Sequence, residues 1–256
     1  RLRPALRVLI EDVRPQSDAR PGCIAAAGMI TSALGLAEVP HLLAPAGIDE
    51  LAAATRGYEF SDVAELPVLL VPGVKSGQMP CELATVAEAD LMGSHWKAIK
   101  LDADGRIAAS VTSLAGELVY AAQTQTILAS AVPHERLTTV NLEWLEAGMR
   151  EQRMNGLARA LFCVRLLEQM EQSKQGSAED RLNFLIGAFI AEDLDALSSR
   201  GVLADSVIIV GSGALAEAWQ HALRQNNIQS QIITGEQSER ALLAGLRNIT
   251  SIVFKN

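Results

Sequence analysis

Cysteine is scarce in this chain. The three present, Cys23, Cys81 and Cys163, stand far apart, are odd in number and lack CxxC spacing, so neither a disulfide framework nor a structural zinc site is expected. That usage fits a reducing compartment, and a cytoplasmic location is the expectation. Positive charge is also in deficit: 22 Lys and Arg face 30 Asp and Glu, a net charge of -8. Nucleic acid and anionic membranes favour a basic face, so neither is an expected partner, although a local basic pocket for a small anion remains open. No apolar run reaches the roughly 18–20 residues of a membrane span. The opening Arg1-Leu2-Arg3-Pro4 has no signal-type apolar core behind it. His41, His134 and His221 are scattered without HExxH spacing, which gives no metal ligand set. No fixed-period repeat of the solenoid kind is found.

What remains is an ordinary globular composition, 49% apolar and 20% charged over 256 residues, long enough for two cores. Apolar residues recur every three to four positions over residues 6–13, 48–55, 116–130, 141–155, 157–172, 178–197, 214–225 and 237–248, which predicts helices there. Short apolar runs at residues 23–27 and 66–71, ending in Gly28 and in Pro72-Gly73, predict buried strands that run into loops. Trp96 opens a strand, Asp104-Gly105 a hairpin turn, and a second strand runs to Ser113. Further strands are predicted at residues 206–210, 230–234 and 251–254, while 15–21 reads as a loop and 77–90 carries little period. Strand and helix alternate again near the end, which implies parallel strands covered by helices. Two lobes, 1–90 and 91–256, are the expected division.

Four stretches could carry chemistry. Gly93-Ser94-His95-Trp96-Lys97 gathers backbone N–H groups, a hydroxyl and an ammonium in one turn, the donors a phosphate needs. The same residues equally suit an ordinary hairpin start with a solvated Lys. Gly28-Met29-Ile30-Thr31-Ser32 follows a predicted strand, and open α/β sheets bind ligands at the carboxyl ends of strands. A loop of small residues for close packing fits as well. Val210-Gly211-Ser212-Gly213-Ala214-Leu215 joins a strand to a helix, where missing side chains admit a nucleotide and the helix start favours an anion. It has neither GxGxxG spacing nor a GxxxxGKS/T loop, so a structural turn is an equal alternative. Glu117 falls in the first turn of a helix, a place the helix dipole favours for any carboxylate and from which it could also hold a metal ion or a substrate hydroxyl. Arg159 and Arg165 flank Phe162 on one helix and are expected to form ion pairs.

Taken in order, Ala27-Gly28-Met29-Ile30-x-Ser32-x-x-Gly35-x-x-Glu38-x-Pro40, Val71-Pro72-Gly73-Val74-Lys75, Gly93-Ser94-His95-x-Lys97, Leu114-Ala115-Gly116-Glu117-Leu118 with Thr126-Ile127-Leu128, and Gly156-Leu157-Ala158-Arg159-Ala160-Leu161-Phe162 resemble the 2-dehydro-3-deoxygalactonokinases. The resemblance covers roughly residues 23–220. It implies a two-lobed, actin-like (ribonuclease H-like) α/β sugar-kinase fold with a helix-rich second lobe, and transfer of the ATP γ-phosphoryl to the 6-hydroxyl of 2-dehydro-3-deoxygalactonate with Mg2+. On that resemblance Gly93, Ser94, His95 and Lys97 contact phosphate, Gly211, Ser212, Gly213 and Leu215 face the nucleotide, and Gly28, Met29, Ser32 and Glu117 line the sugar acid. Asp90 is the nearest candidate for the base that accepts the hydroxyl proton. The family's Asp-x-Gly-Thr-Thr turn and about 20–30 residues before Gly93 are not found, which implies an incomplete first lobe. A non-catalytic sugar-acid-binding relative, or another small-molecule kinase on this fold, is the alternative. A homodimer is possible on this reading.

Overall fold

The computed structural model describes residues 2–14, 21–76, 87–89, 96–169 and 176–255. Its chain folds into two compact units, Arg1–Val111 with Arg240–Asn256, and Thr112–Glu239. This differs from a division at residue 90 by the hairpin and the C-terminal helix. Ala46 pairs with Ile107 across an isolated bridge, and Leu246, Ile249, Ile252 and Val253 pack against Leu51, Val71 and Val74, so both join the first unit.

The first unit opens with α1 (Leu2–Val13), whose Leu6 and Ile10 lean on a cluster of Leu36, Val39, Phe60, Val68 and Leu70. Strand β1 (Ile24–Ala26) is followed by β2 (Leu42–Leu43), helix α2 (Ile48–Ala54), β3 (Arg56–Tyr58), β4 (Val68–Leu70), β5 (Val74–Ser76) and β6 (Ala87–Ala89). β4 is buried at all three residues because it is the central strand: β1 pairs with it parallel and β3 antiparallel. In a second sheet β5 lies between β2, parallel, and β6, antiparallel. These strands of two or three residues are too short to show a period of two, which is why β2, β3, β5 and β6 escape sequence reading. The hairpin follows as β7 (Trp96–Leu101) and β8 (Ile107–Ser113), with Gly105 at φ 76° in its turn. Asp102 holds that turn by accepting the amides of Asp104 and Arg106 at 3.0 and 2.9 Å and the Arg106 Nε at 2.9 Å.

The second unit is built on helices α3 (Ala115–Gln125), α4 (Leu142–Asn155), α5 (Leu157–Gln169) and α6 (Ala178–Ser199). The predicted helix over 116–130 is split at Thr126, whose hydroxyl donates to the Ala122 carbonyl at 2.8 Å and accepts the Leu128 amide at 3.1 Å. A 3₁₀ turn, Ile127–Ser130, continues from there. α6 is capped reciprocally: Asp180 N donates to Ser177 Oγ at 3.1 Å and Ser177 N to Asp180 Oδ2 at 2.8 Å. It is the core helix, with Leu182, Leu185, Ala188 and Ala191 fully buried. After it come β9 (Ser206–Val210), α7 (Gly213–Gln225), β10 (Gln229–Ile233) and α8 (Gly235–Val253). β9 and β10 run parallel in register from Ser206 with Gln229 to Val210 with Ile233, as the alternating pattern implies. The strand expected at 251–254 is not formed; α8 runs through to Val253, because Leu246, Ile249 and Val253 continue one helical stripe onto the core of the first unit.

Candidate functional site

At the carboxyl end of β1 the chain turns at Gly28, with φ 88° and ψ -150°, a conformation essentially confined to glycine. A single 3₁₀ turn, Met29–Thr31, follows. The amide and hydroxyl of Thr31 both donate to the Gly28 carbonyl, at 3.0 and 2.8 Å. Ser32 closes the turn: its hydroxyl donates to the Met29 carbonyl at 2.7 Å and accepts the Leu34 amide at 3.3 Å. Its one proton is therefore committed to the turn, and toward a ligand the hydroxyl can act only as an acceptor. Gly35 is wedged against the Ile30 carbonyl, 2.1 Å from where a Cβ would stand. Met29 projects outward, 57% exposed. Gly28, Met29 and Ser32 thus share one rigid turn.

In the second unit β9 ends at Val210, Gly211 follows, and α7 begins at Gly213, φ 71°, after Ser212 in extended conformation at the N-cap. Ser212 makes no side-chain cap hydrogen bond. The first-turn amides of a helix lack intrahelical acceptors, so this end presents donors and a partial positive charge. A Cβ on Gly213 would meet nothing within 4 Å, and Leu215 is 48% exposed on the same turn. Gly211, Ser212, Gly213 and Leu215 form one open surface that fits a phosphate or the polar edge and apolar face of a nucleoside.

Glu117 lies in the first turn of α3, as expected, on an exposed face. Just before that turn Ser113 Oγ accepts the Ala115 amide at 3.1 Å and donates to Asp193 Oδ1 at 2.9 Å. Burial pushes the Asp193 carboxyl above its usual range, the Ser113 hydroxyl pulls it back, and the charge of Glu192 raises it again. Asp193 was not singled out from sequence. The available signal is its place on the apolar stripe Ile186, Ile190, Asp193, Leu197 of α6, where a carboxylate demands a partner.

Lys97 is half-buried on β7, while Asp90, Gly93, Ser94 and His95 lie outside the described residues. Arg165 pairs with Glu168, as expected, whereas Arg159 stands over the Phe162 ring at 6.0 Å. His221 hydrogen-bonds Glu146 at 2.8 Å, a tie between α7 and α4. Among the described residues no three His, Cys, Asp or Glu side chains converge as a metal cage. Cys23 and Cys163 are free thiols, each raised above its ordinary pKa by burial, and Cys81 lies outside the described residues. No described helix is long and apolar enough to cross a membrane.

The profile of the 2-keto-3-deoxy-galactonokinase family matches residues 2–83 and 77–249. The chain is similar to a candidate 2-dehydro-3-deoxygalactonokinase of Rhizobium meliloti (strain 1021), 27% identical over an alignment 234 residues long that covers 85% of this chain and 75% of that protein. Its fold matches the crystal structure of a Sinorhizobium meliloti protein, provisionally named a 2-dehydro-3-deoxygalactonokinase, with a TM-score of 0.77 and 21% identity over 94% of this chain and 83% of that one. A mixed α/β fold of this kind, with the profile spanning both units, defines a carbohydrate kinase. The chain belongs to the 2-keto-3-deoxy-galactonokinase family.

Proposed function

We propose that this kinase transfers the γ-phosphoryl group of ATP to the 6-hydroxyl of 2-dehydro-3-deoxy-D-galactonate, on a two-lobed, actin-like scaffold. The reading rests on the family match over both units, and the geometry of the two glycine turns supports it. In the first unit the Gly28 turn offers exposed Met29 and the accepting lone pair of Ser32 to the sugar acid. In the second, the open start of α7 takes the nucleotide through Gly211, Ser212 and Gly213, with Leu215 as an apolar contact. Glu117 accepts a hydrogen bond from a substrate hydroxyl.

Phosphoryl transfer is catalysed mainly by positioning and by stabilising charge on the transferring group. Lys97, with the backbone and side chains of Gly93, Ser94 and His95, supplies that charge and those donors. Asp90 is the base that accepts the proton of the attacking hydroxyl. Magnesium bound with the nucleotide would neutralise phosphate charge, held by one or two carboxylates, water and the phosphates. The chain's own residues then orient the acid, hold the phosphates and remove the proton.

Steady-state ADP release across a panel of 2-keto-3-deoxy sugar acids tests the assignment. The expected result is the highest kcat/KM on the galactonate derivative. Turnover confined to a different acid would overturn the substrate, and binding of the acid without ADP release would identify a non-catalytic relative.

A further inference from the structure

We propose that Asp193 is a positioning residue: through the Ser113 hydroxyl it fixes the first turn of α3 and thereby the placement of Glu117, a proposal that rests on the reading of Glu117 as a substrate contact. The N-cap of α3 is Leu114, which has no side chain able to accept a backbone N–H. The role passes to Ser113, one residue earlier, which accepts the Ala115 amide at 3.1 Å. A hydroxyl carries one proton and two lone pairs. With the proton directed at Asp193 Oδ1, 2.9 Å away, the lone pair facing Ala115 is held in one direction rather than free to rotate.

Asp193 is a firm anchor because α6 carries it among fully buried neighbours, Ala191 at 0% and Leu194 at 2% exposure. Eighty residues of sequence separate the two partners, so the bond ties β8 and the start of α3 to the core helix. Ala115 and Val119 set one face of α3 against the core, while Gly116, where a Cβ would meet nothing within 4 Å, adds no packing on the face that carries Glu117. Glu117 is the next residue. The Asp193 carboxylate also places negative charge near the positive end of α3. Its neighbour Glu192 points to another partner, accepting Gln152 Nε2 at 2.7 Å, so the two carboxylates do not share one function.

The test uses the full chain with Asp193→Ala, Asp193→Asn, Ser113→Ala, Ser113→Thr and Glu117→Gln. Amide hydrogen exchange over residues 113–118 is read without substrate, and kcat and KM for the sugar acid are measured at saturating ATP. Asp193→Ala and Ser113→Ala should each speed exchange there roughly tenfold and raise KM for the acid about three- to tenfold, the scale of one lost hydrogen bond. The KM for ATP should stay within about twofold, and the double variant should be no worse than either single one, because both remove one unit. Ser113→Thr, which keeps the hydroxyl, should rescue both readouts, and Asp193→Asn should fall between. Unchanged exchange in Asp193→Ala overturns the proposal whatever the activity. A raised KM in Glu117→Gln with none in Asp193→Ala also overturns it and leaves the site reading intact. An unaltered KM in Glu117→Gln removes the site reading and the proposal together.

Discussion

Alanine in place of Gly148 should destabilise this protein, although helix propensity alone predicts the opposite. Gly148 lies on α4 and Gly187 on α6, and the two helices meet backbone to backbone at both: a Cβ on Gly148 would stand 1.9 Å from the Phe184 carbonyl oxygen, and one on Gly187 would stand 2.1 Å from that of Leu145. A carbon and a carbonyl oxygen approach no closer than about 3.3 Å. The atom met is backbone, so no rotamer change relieves it and the helices must part by more than an ångström. That displacement loosens Leu145, Met149, Leu182 and Leu185, all 2% exposed or less, and a gap of 0.5–1 Å forfeits roughly a quarter to a half of each dispersion contact across it. Overpacking of this kind costs about 2–4 kcal/mol at its upper end, while exchanging Gly for Ala in a helix returns about 1 kcal/mol. The net loss is about 1–3 kcal/mol, a fall in Tm of roughly 2–10 °C for a chain of this size. Gly245 on α8 is the internal control, because a Cβ there meets nothing within 4 Å; Gly245→Ala should raise Tm by a few degrees on propensity alone. Thermal unfolding of both variants by circular dichroism reads the two signs. A Tm for Gly148→Ala equal to or above that of the parent would refute the close-contact argument.

Other outcomes follow from the same geometry. Gly28→Ala should cost about 1–3 kcal/mol, because its φ of 88° and ψ of -150° belong to glycine, and denaturant unfolding would show it; a neutral result would mean the turn rearranges freely. Asp102 is held below its usual pKa first by the Arg106 amide, against burial, and then by the Arg106 guanidinium and the Asp104 amide. A depressed carboxylate stabilises the fold above its unfolded pKa of about 3.9 and loses that contribution as pH falls through the folded value. The Tm gap between parent and Asp102→Ala should therefore be present at neutral pH and close only below about pH 4; a gap independent of pH would contradict the assignment. Lys97→Ala should lower turnover far more than it lowers Tm, and an unchanged rate would remove Lys97 from the phosphate site.

Where a segment was long and periodic, sequence and structure agree closely: α4 and α6 begin and end within two residues of the apolar pattern, and β9 and β10 pair parallel as alternation required. Tertiary pairing made the rest hard to read. β1 and β4 fall inside the predicted apolar runs at 23–27 and 66–71, but β2, β3, β5 and β6 are two or three residues each, shorter than any period can register. The extension of α8 to Val253 depends on a core built by Leu51, Val71 and Val74, which the local β-branched pair Ile252-Val253 does not reveal. At the site, the Gly28 and Gly211 turns were visible because glycine between strand and helix is a local signal. The Ser113–Asp193 tie was not, since it joins residues 80 positions apart: a carboxylate on the apolar stripe of α6 signals that a partner is needed but not which one.

The central claim is transfer of a phosphoryl group from ATP to the terminal hydroxyl of a 2-keto-3-deoxy sugar acid. Incubating the full chain with ATP, Mg2+ and 2-dehydro-3-deoxy-D-galactonate, then recording proton-coupled 31P NMR of the product, tests it most directly. A new phosphomonoester signal coupled to the two protons on carbon 6 is the predicted result. Inorganic phosphate as the sole product, or an ester at another carbon, would contradict it.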